Sequence, residues 1–167
     1  MINRIRTCSF TGHRPEKLHI SEHIAKSLLE KAIDEAIKDN FTIFISGMAR
    51  GIDMWAAEIV LEKKNEHPKI KLIAASPFKG FENSWSENEK VKYRKILECA
   101  DEVIYCSDEY RVGVYMVRNK YMVDRSYRVI AAFNGESGGT KNTIKYAKSQ
   151  GLEITNILET EFSSCQV

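Results

Sequence analysis

The sequence lacks long hydrophobic runs, a cysteine framework and a large excess of one charge. No uninterrupted apolar segment approaches the roughly 20 residues that a membrane-spanning helix needs. The first ten residues enter a strand-like run without the apolar core of a signal peptide. Neither a CxxC pair nor metal-ligand spacing is found among the four cysteines, Cys8, Cys99, Cys106 and Cys165. These absences predict a cytoplasmic protein with reduced thiols, no metal site and no membrane partner.

The charges are nearly balanced, with 25 Lys and Arg against 23 Asp and Glu and a formal net charge of +2. This balance does not require a nucleic acid or membrane partner, although it leaves room for a local basic cleft. The length of 167 residues and the hydrophobic fraction of 43% are typical of one globular domain with a sizeable core. We expect that domain over residues 1–160 and a disordered tail over 161–167.

Short apolar runs alternate along the chain with longer segments of helical periodicity. The pattern predicts strands over 5–10, 41–45, 70–75, 102–106, 129–133 and 152–157, and helices over 21–38, 52–64, 86–99, 114–124 and 140–150. Strands joined by helices of this length pair in parallel through right-handed crossovers. The expected fold is therefore α/β, a single Rossmann-like three-layer domain with a mostly parallel sheet.

Glycine-rich loops follow several of these strands. The stretch FISGMARGID, residues 44–53, ends a strand at Ser46 and opens a helix after Gly51. A second loop, residues 134–140, carries Gly138 and Gly139 before the next helix. Glycine lets backbone amides approach an anion, and a helix N-terminus adds its positive dipole end. Because ligands bind at the carboxyl ends of parallel strands, these loops together predict a phosphate site, although any one alone is ordinary turn chemistry.

The candidate ligand-binding residues share a position in, or just after, the segments that follow strands. They are Thr11, Gly12, His13, Arg14, Ser46, Gly47, Met48, Arg50, Gly51, Asp53, Glu58, Pro77, Phe78, Trp85, Arg118, Asn119, Asn134, Gly138, Gly139 and Thr140. No catalytic residue is assigned among them. Arginine forks onto phosphate oxygens, and aromatic side chains such as Phe78 or Trp85 sandwich a base.

The sequence allows two interpretations for several of these residues. Asp53 holds a ribose hydroxyl or only caps the helix start, and His13 is an acid or base or only a hydrogen-bonding residue. Arg118 and Asn119 contact sugar or phosphate, or else Arg118 and Asp124 are ordinary surface charges. Glu58 lies five residues after Asp53, about 140° around a helix, so the two carboxylates do not form a pair on one face.

The motifs resemble the YpsA-like branch of the SLOG superfamily, over about residues 5–158. They are TGHRPEKL (11–18), SGMARGIDMWAAE (46–58), PFKG (77–80), RNKYMVD (118–124) and GGTKNTIKYA (138–147). The resemblance implies a cytosolic Rossmann-like domain that binds a nucleotide derivative, with ADP-ribose, an NAD-related molecule or a nucleoside phosphate as its small-molecule ligand and a sensor or regulatory role. By analogy it also implies a homodimer.

Two relatives within that superfamily imply other functions. SGMARGID is similar to a segment of DprA, which implies single-stranded DNA as a less favoured partner. The LOG enzymes imply nucleotide N-glycosidase activity through a GGxGTxxE motif with a catalytic glutamate. When that motif is aligned on Gly139 and Thr140, Thr143 stands where the glutamate would be. Glycosidic cleavage would then require another carboxylate, with Asp53, Glu58 or Asp124 as candidates.

Overall fold

Six parallel strands form one sheet within residues 3–159, the part of the chain that this computed structural model describes. The strands are β1 (Thr7–Gly12), β2 (Ile43–Ser46), β3 (Lys71–Ser76), β4 (Glu102–Tyr105), β5 (Arg128–Ala132) and β6 (Glu153–Asn156), in the order β4-β3-β2-β1-β5-β6. The fully parallel sheet confirms the predicted Rossmann-like α/β fold. The tail expected over 161–167 lies outside the described residues.

Helices cover both faces of the sheet. Along the chain they are α1 (Pro15–Leu18), α2 (Glu22–Lys38), α3 (Ile52–Lys63), α4 (Glu87–Cys99), α5 (Val114–Asp124) and α6 (Gly139–Ser149), after a 3-10 turn at Arg4–Arg6. Helices α2, α3 and α4 pack on one face, and α5 and α6 pack on the other. The sequence pattern missed the 3-10 turn and the short α1, and it placed the other boundaries within three residues. No helix in residues 3–159 is long and apolar enough to cross a membrane.

The strand residues alternate between the two faces because side chains along a strand point to opposite sides. Phe44 of β2 is fully buried in the core beneath α2 and α3. Its neighbour Ile45 is equally buried but packs on the other face with Ile73 and Met122. Two covered faces explain why the strands read as continuous apolar runs rather than as alternating polar and apolar residues.

The strand order creates a crevice at the centre of the sheet. From β1 the chain adds β2, β3 and β4 on one side, then crosses back to place β5 on the other side of β1. The connections that leave β1 and β5 therefore diverge at the carboxyl edge, where open α/β sheets bind ligands. Gly12, at the end of β1, allows α3 to come close: a β-carbon on Gly12 would lie 2.5 Å from Cγ1 of Ile52.

This close approach predicts that Gly12→Ala destabilises the fold. The added methyl group must displace Ile52, which is 1% exposed, so we expect the free energy of unfolding to fall by about 1–3 kcal/mol. Gly139→Ala is the matched control, because a β-carbon there meets nothing within 4 Å. Urea denaturation followed by circular dichroism measures both variants. Equal midpoints for the two would contradict the packing argument.

Candidate functional site

A cleft of about 880 Å³ opens at the carboxyl edge of the sheet. This volume lies within the range of small-molecule sites in proteins. Loops after β1, β2, β3 and β5 line the cleft, together with residues near the starts of α1, α3, α4, α5 and α6. The predicted convergence of post-strand segments at one edge of the sheet is therefore present in the structure.

The cleft brings together the larger part of the predicted site residues. Those in its lining are Thr11, Gly12, His13, Arg14, Arg50, Asp53, Phe78, Trp85, Arg118, Asn119, Gly138, Gly139 and Thr140. The predicted residues that do not line it are Ser46, Gly47, Met48, Gly51, Glu58, Pro77 and Asn134. No group of three or more His, Cys, Asp or Glu side chains in the described part of the chain is arranged to hold a metal ion.

Ser46, Met48 and Gly51 lie beneath or behind the cleft and shape the loop that leads into α3. The Ser46 hydroxyl donates to the Asp53 carbonyl over 2.7 Å and accepts from the Met48 amide over 3.2 Å. Met48 is fully buried with a positive φ of 62°, an uncommon backbone conformation for a residue other than glycine. Gly51 has a φ of 85°, and a β-carbon there would lie 2.8 Å from Pro15 Cδ.

Asn134, Glu58 and Pro77 are not part of the cleft lining. The Asn134 side chain donates to the Lys17 carbonyl over 2.8 Å and accepts from the Glu136 amide over 3.0 Å. It therefore ties α1 to the loop after β5. Glu58 is partly buried in α3, and Pro77 is buried directly after β3.

A buried polar cluster of Arg118, Asp53 and Gly47 forms the floor of the cleft. Arg118 comes from α5, is 6% exposed, and donates through Nη1 to the Gly47 carbonyl. Its Nε donates to Asn119 Oδ1 over 2.8 Å. Asp53, 8% exposed, accepts from the Ala49 amide over 3.3 Å. A β-carbon on Gly47 would lie 2.9 Å from both Arg118 Nη1 and Asp53 Oδ2, so a larger residue here would displace one or both of these buried side chains.

Burial dominates the titration of this cluster. It raises the pKa of Asp53 from 3.8 to about 6, against the opposing effect of the Arg118 charge and the Ala49 hydrogen bond. Burial likewise lowers the pKa of Arg118, and the Asp53 charge opposes that shift. A carboxyl group with a pKa near 6 exchanges its proton close to neutral pH, which is the property of a general acid or base.

His13 is a buried neutral side chain in the cleft wall. It is 5% exposed, and burial lowers its pKa below the usual value of 6.5. Its ring lies 5.5 Å from that of Phe133, and Nε2 has no hydrogen-bond partner among the described residues. The imidazole therefore adds no charge to the cleft at neutral pH.

The charges in the cleft are distributed unevenly. Arg50 Nη1 lies 3.8 Å from Glu89 Oε2, so these two side chains form an ion pair. Arg14 and Lys17 form no ion pair within residues 3–159. Helix α6, which begins at the same side of the cleft as these two cations, has no acidic residue in its first turn.

Aromatic side chains form the wall after β3. Phe81 is at the centre, with ring centroids 5.4 Å from Phe78, 5.0 Å from Trp85 and 5.8 Å from Tyr115. The sequence predicts Phe78 and Trp85 as candidate stacking residues, whereas Phe81 and Tyr115 were not predicted. Tyr115 lies three residues before Arg118 on α5, a helical spacing that could have revealed it.

Other lining residues were also missed: Glu16, Lys17, Ala49, Ser84, Ser86, Glu89 and Ser137. Most of them flank a predicted residue within the same loop. The sequence spacing of Ser86 and Glu89 is typical of a reciprocal helix cap, and the Ser86 hydroxyl does accept from the Glu89 amide over 3.4 Å. The position of the Glu89 carboxylate beside Arg50 depends on how α3 and α4 pack, which local sequence does not specify.

Comparison with known proteins gives the family and the fold. The YspA SLOG family model matches residues 8–161. YoqJ, an SPbeta prophage-derived protein of Bacillus subtilis strain 168, is 38% identical, over 76% of this chain and 82% of that protein. A UPF0398 protein of Halalkalibacterium halodurans is 28% identical, over 81% of this chain and 76% of that protein.

Two solved structures of DNA processing protein A (DprA) share the fold. The protein of Streptococcus pneumoniae has a TM-score of 0.66 and 20% identity, over 90% of this chain and 49% of that chain. This chain thus spans about half of the pneumococcal protein. The Helicobacter pylori protein, whose structure is described with a single-stranded DNA binding mode, has a TM-score of 0.56 and 15% identity, over 96% of this chain and 74% of that chain. At these identities the likeness shows the fold alone.

The raised pKa of Asp53 predicts that its contribution to the free energy of unfolding depends on pH. The carboxyl titrates near 3.8 when unfolded and near 6 when folded, so the folded state binds more protons between these values. The free energy of unfolding contributed by Asp53 therefore falls as pH rises from about 4 to about 7, by on the order of 3 kcal/mol. Asp53→Asn removes the titrating group and with it this decline.

Urea denaturation at several pH values from 4.5 to 7.5 tests the prediction. The difference in unfolding free energy between wild type and Asp53→Asn should decrease steadily over this range. Asp108→Asn is the control, since that side chain is 89% exposed. A constant difference between wild type and Asp53→Asn would show that the carboxyl titrates alike in both states.

Proposed function

We propose that this chain, which belongs to the YspA SLOG family, binds a phosphate-bearing nucleotide in the cleft at the carboxyl edge of its sheet. The family membership confirms the resemblance inferred from the sequence. The observation that carries the proposal concerns the two sides of one cleft. One side has an open helix N-terminus and two cations, Arg14 and Lys17, that form no ion pair within residues 3–159, and the other side is an aromatic wall.

The strand order separates these two sides. The aromatic wall follows β3, whereas α6 follows β5, and β2 and β1 lie between them. Three strand spacings correspond to about 14 Å. This distance exceeds the size of a free phosphate ion and suits a ligand with a phosphate at one end and a flat ring system at the other.

The phosphate is assigned to the start of α6. The first amides of a helix have no partner within the helix, and the dipole favours an anion there. A β-carbon on Gly138 or Gly139 would meet nothing within 4 Å, so the backbone is open to the cleft. Arg14 and Lys17, which lie in the adjacent lining, supply the positive charge.

The base is assigned to the aromatic wall. Phe81, Trp85 and Tyr115 present ring faces and edges of the kind on which nucleic acid bases stack. The start of α3 is a poorer phosphate site than the start of α6, because Asp53 and Glu89 offset the charges of Arg118 and Arg50 there. The ligand therefore has its charged end at α6 and its ring at α4.

Arg14→Ala is expected to weaken nucleotide binding at least about 10-fold, because a charge-assisted hydrogen bond contributes roughly 1.5–3 kcal/mol. A thermal-shift panel of AMP, ADP-ribose, NAD, cyclic nucleotides and a short single-stranded oligonucleotide first selects the ligand. Isothermal titration calorimetry then compares wild type, Arg14→Ala and the control Arg6→Ala. Arg6 precedes β1, at the opposite edge of the sheet.

The panel also separates the alternatives. A nucleotide that raises the melting temperature does so by mass action on the folded state, and its binding should be unchanged in Arg6→Ala. A shift with the oligonucleotide alone would replace the nucleotide proposal with DNA binding. If no nucleotide of the panel raises the melting temperature, the proposed function is contradicted.

A second candidate function, nucleotide N-glycosidase activity, is favoured by one observation. Of Asp53, Glu58 and Asp124, only Asp53 lines the cleft, and burial raises its pKa to about 6. Thr143 cannot replace the LOG glutamate: it is buried and its hydroxyl donates to the Gly139 carbonyl over 2.8 Å. Among these three candidates, Asp53 is thus the carboxyl group positioned to protonate a departing base.

Chromatography of each bound nucleotide after incubation tests this second function. Free base released by wild type, and at least about 100-fold more slowly by Asp53→Asn with binding retained, would establish Asp53 as the general acid. Recovery of the intact nucleotide from wild type would show that the cleft binds without hydrolysis.

A further inference from the structure

We propose that Glu89, with Arg50 and Ser86, forms a sugar-hydroxyl site, so that the ligand is a ribonucleotide rather than a 2′-deoxyribonucleotide. This inference rests on the proposed function, because it assigns the part of the ligand that lies between the phosphate and the base. It uses residues whose side chains meet only in the folded chain: Arg50 follows β2, and the other two lie at the start of α4.

The three side chains are held together by direct contacts. Glu89 Oε2 lies 3.8 Å from Arg50 Nη1, and the Ser86 hydroxyl is 3.4 Å from the same carboxylate oxygen. All three residues line the cleft. The side chains of Arg50 and Glu89 are each 36% exposed, so both groups are partly desolvated and still reachable by a ligand.

The chemistry of this set suits a diol better than a second phosphate. A hydroxyl group both donates and accepts, and the carboxylate and the guanidinium offer one acceptor group and one donor group side by side. The two charges cancel, and Glu89 would repel a phosphate placed next to it. A carboxylate is also the group that holds ribose hydroxyls in dinucleotide-binding folds.

The Glu89 carboxylate is not engaged as a reciprocal helix cap. In a reciprocal cap its carboxylate would accept from the Ser86 backbone amide. The structure instead gives it the Ser86 hydroxyl and the Arg50 guanidinium, and no contact from the Ser86 amide is present within residues 3–159. Its second carboxylate oxygen, Oε1, forms no hydrogen bond or ion pair in that part of the chain, so it has acceptor capacity left for the cleft.

The position of Glu89, Arg50 and Ser86 along the cleft agrees with that of a ribose between a base and a phosphate. Glu89 is four residues after Trp85, whose ring lies 5.0 Å from Phe81 and 5.3 Å from Tyr93. A base on this aromatic wall carries its sugar directly beside the wall. The phosphate of the same nucleotide then extends away from Glu89, toward the start of α6, where Arg14 forms no ion pair with any described residue.

Calorimetry with the four ribonucleoside 5′-monophosphates and their 2′-deoxy counterparts tests the inference. Wild type should bind the best ribonucleotide about 10-fold or more tightly than its deoxy form, as expected for a hydroxyl bonded to a charged group. Glu89→Ala should remove this preference while changing the affinity for the deoxynucleotide less than about 3-fold. Glu89→Gln, which preserves size and one acceptor oxygen, should reduce the preference several-fold.

Glu87→Ala is the matched control. It lies in the same first turn of α4, its side chain is 85% exposed, and it pairs with Lys90 rather than with the cleft. This variant should keep the wild-type preference, and thermal melts should show that all three variants are folded.

The outcomes distinguish this inference from the function on which it rests. Equal affinity of wild type for ribo and deoxy forms would overturn the hydroxyl site and leave nucleotide binding intact. A preference that persists in both Glu89 variants would also overturn it. If no monophosphate of either kind binds wild type, the inference is overturned. The proposed function is overturned with it only if ADP-ribose, NAD and the cyclic nucleotides also fail to bind.

Discussion

The buried guanidinium of Arg118 is the interaction on which the floor of the cleft depends. It reaches from α5 to the loop after β2 and so joins elements that lie on opposite faces of the sheet. A buried charge is tolerated only when it is hydrogen-bonded and balanced, and Gly47, Asn119 and Asp53 supply those contacts. The loop, the start of α3 and the start of α5 are therefore fixed relative to one another before any ligand binds.

This arrangement also decides where an anion is favourable. Among the helices that begin at the cleft, α3 and α6 each follow one of the two glycine-rich segments and offer unpaired amides with a positive dipole end. At α3 the chain supplies its own carboxylate, Asp53, which already accepts from the Ala49 amide. At α6 the first turn carries no acidic residue. Both segments are rich in glycine, yet only the helix after the second segment leaves its positive dipole end without a carboxylate of its own.

The alternation of apolar runs and helical segments was enough to predict the fold, because hydrophobic periodicity reports secondary structure directly. It also predicted which edge of the sheet gathers the loops. The sequence could not give the contacts between distant elements. It left Arg118 as either a ligand contact or a surface charge, whereas Arg118 is buried and donates to the Gly47 carbonyl. The spacing of Glu89 from Ser86 is typical of a helix cap, and the Glu89 carboxylate also lies beside Arg50. Such pairings depend on packing between elements distant in sequence.

The segment SGMARGID shows why a motif can predict a fold better than it predicts a ligand. Ser46 holds the Met48 amide and the Asp53 carbonyl, and Gly47 makes room for Arg118 and Asp53. Gly51 adopts a positive φ and packs closely against Pro15. These requirements come from the loop and its neighbours, so they are the same whatever the cleft holds. Specificity must come instead from side chains that face the cleft without a structural task, and Arg14 and the Glu89 carboxylate meet that condition.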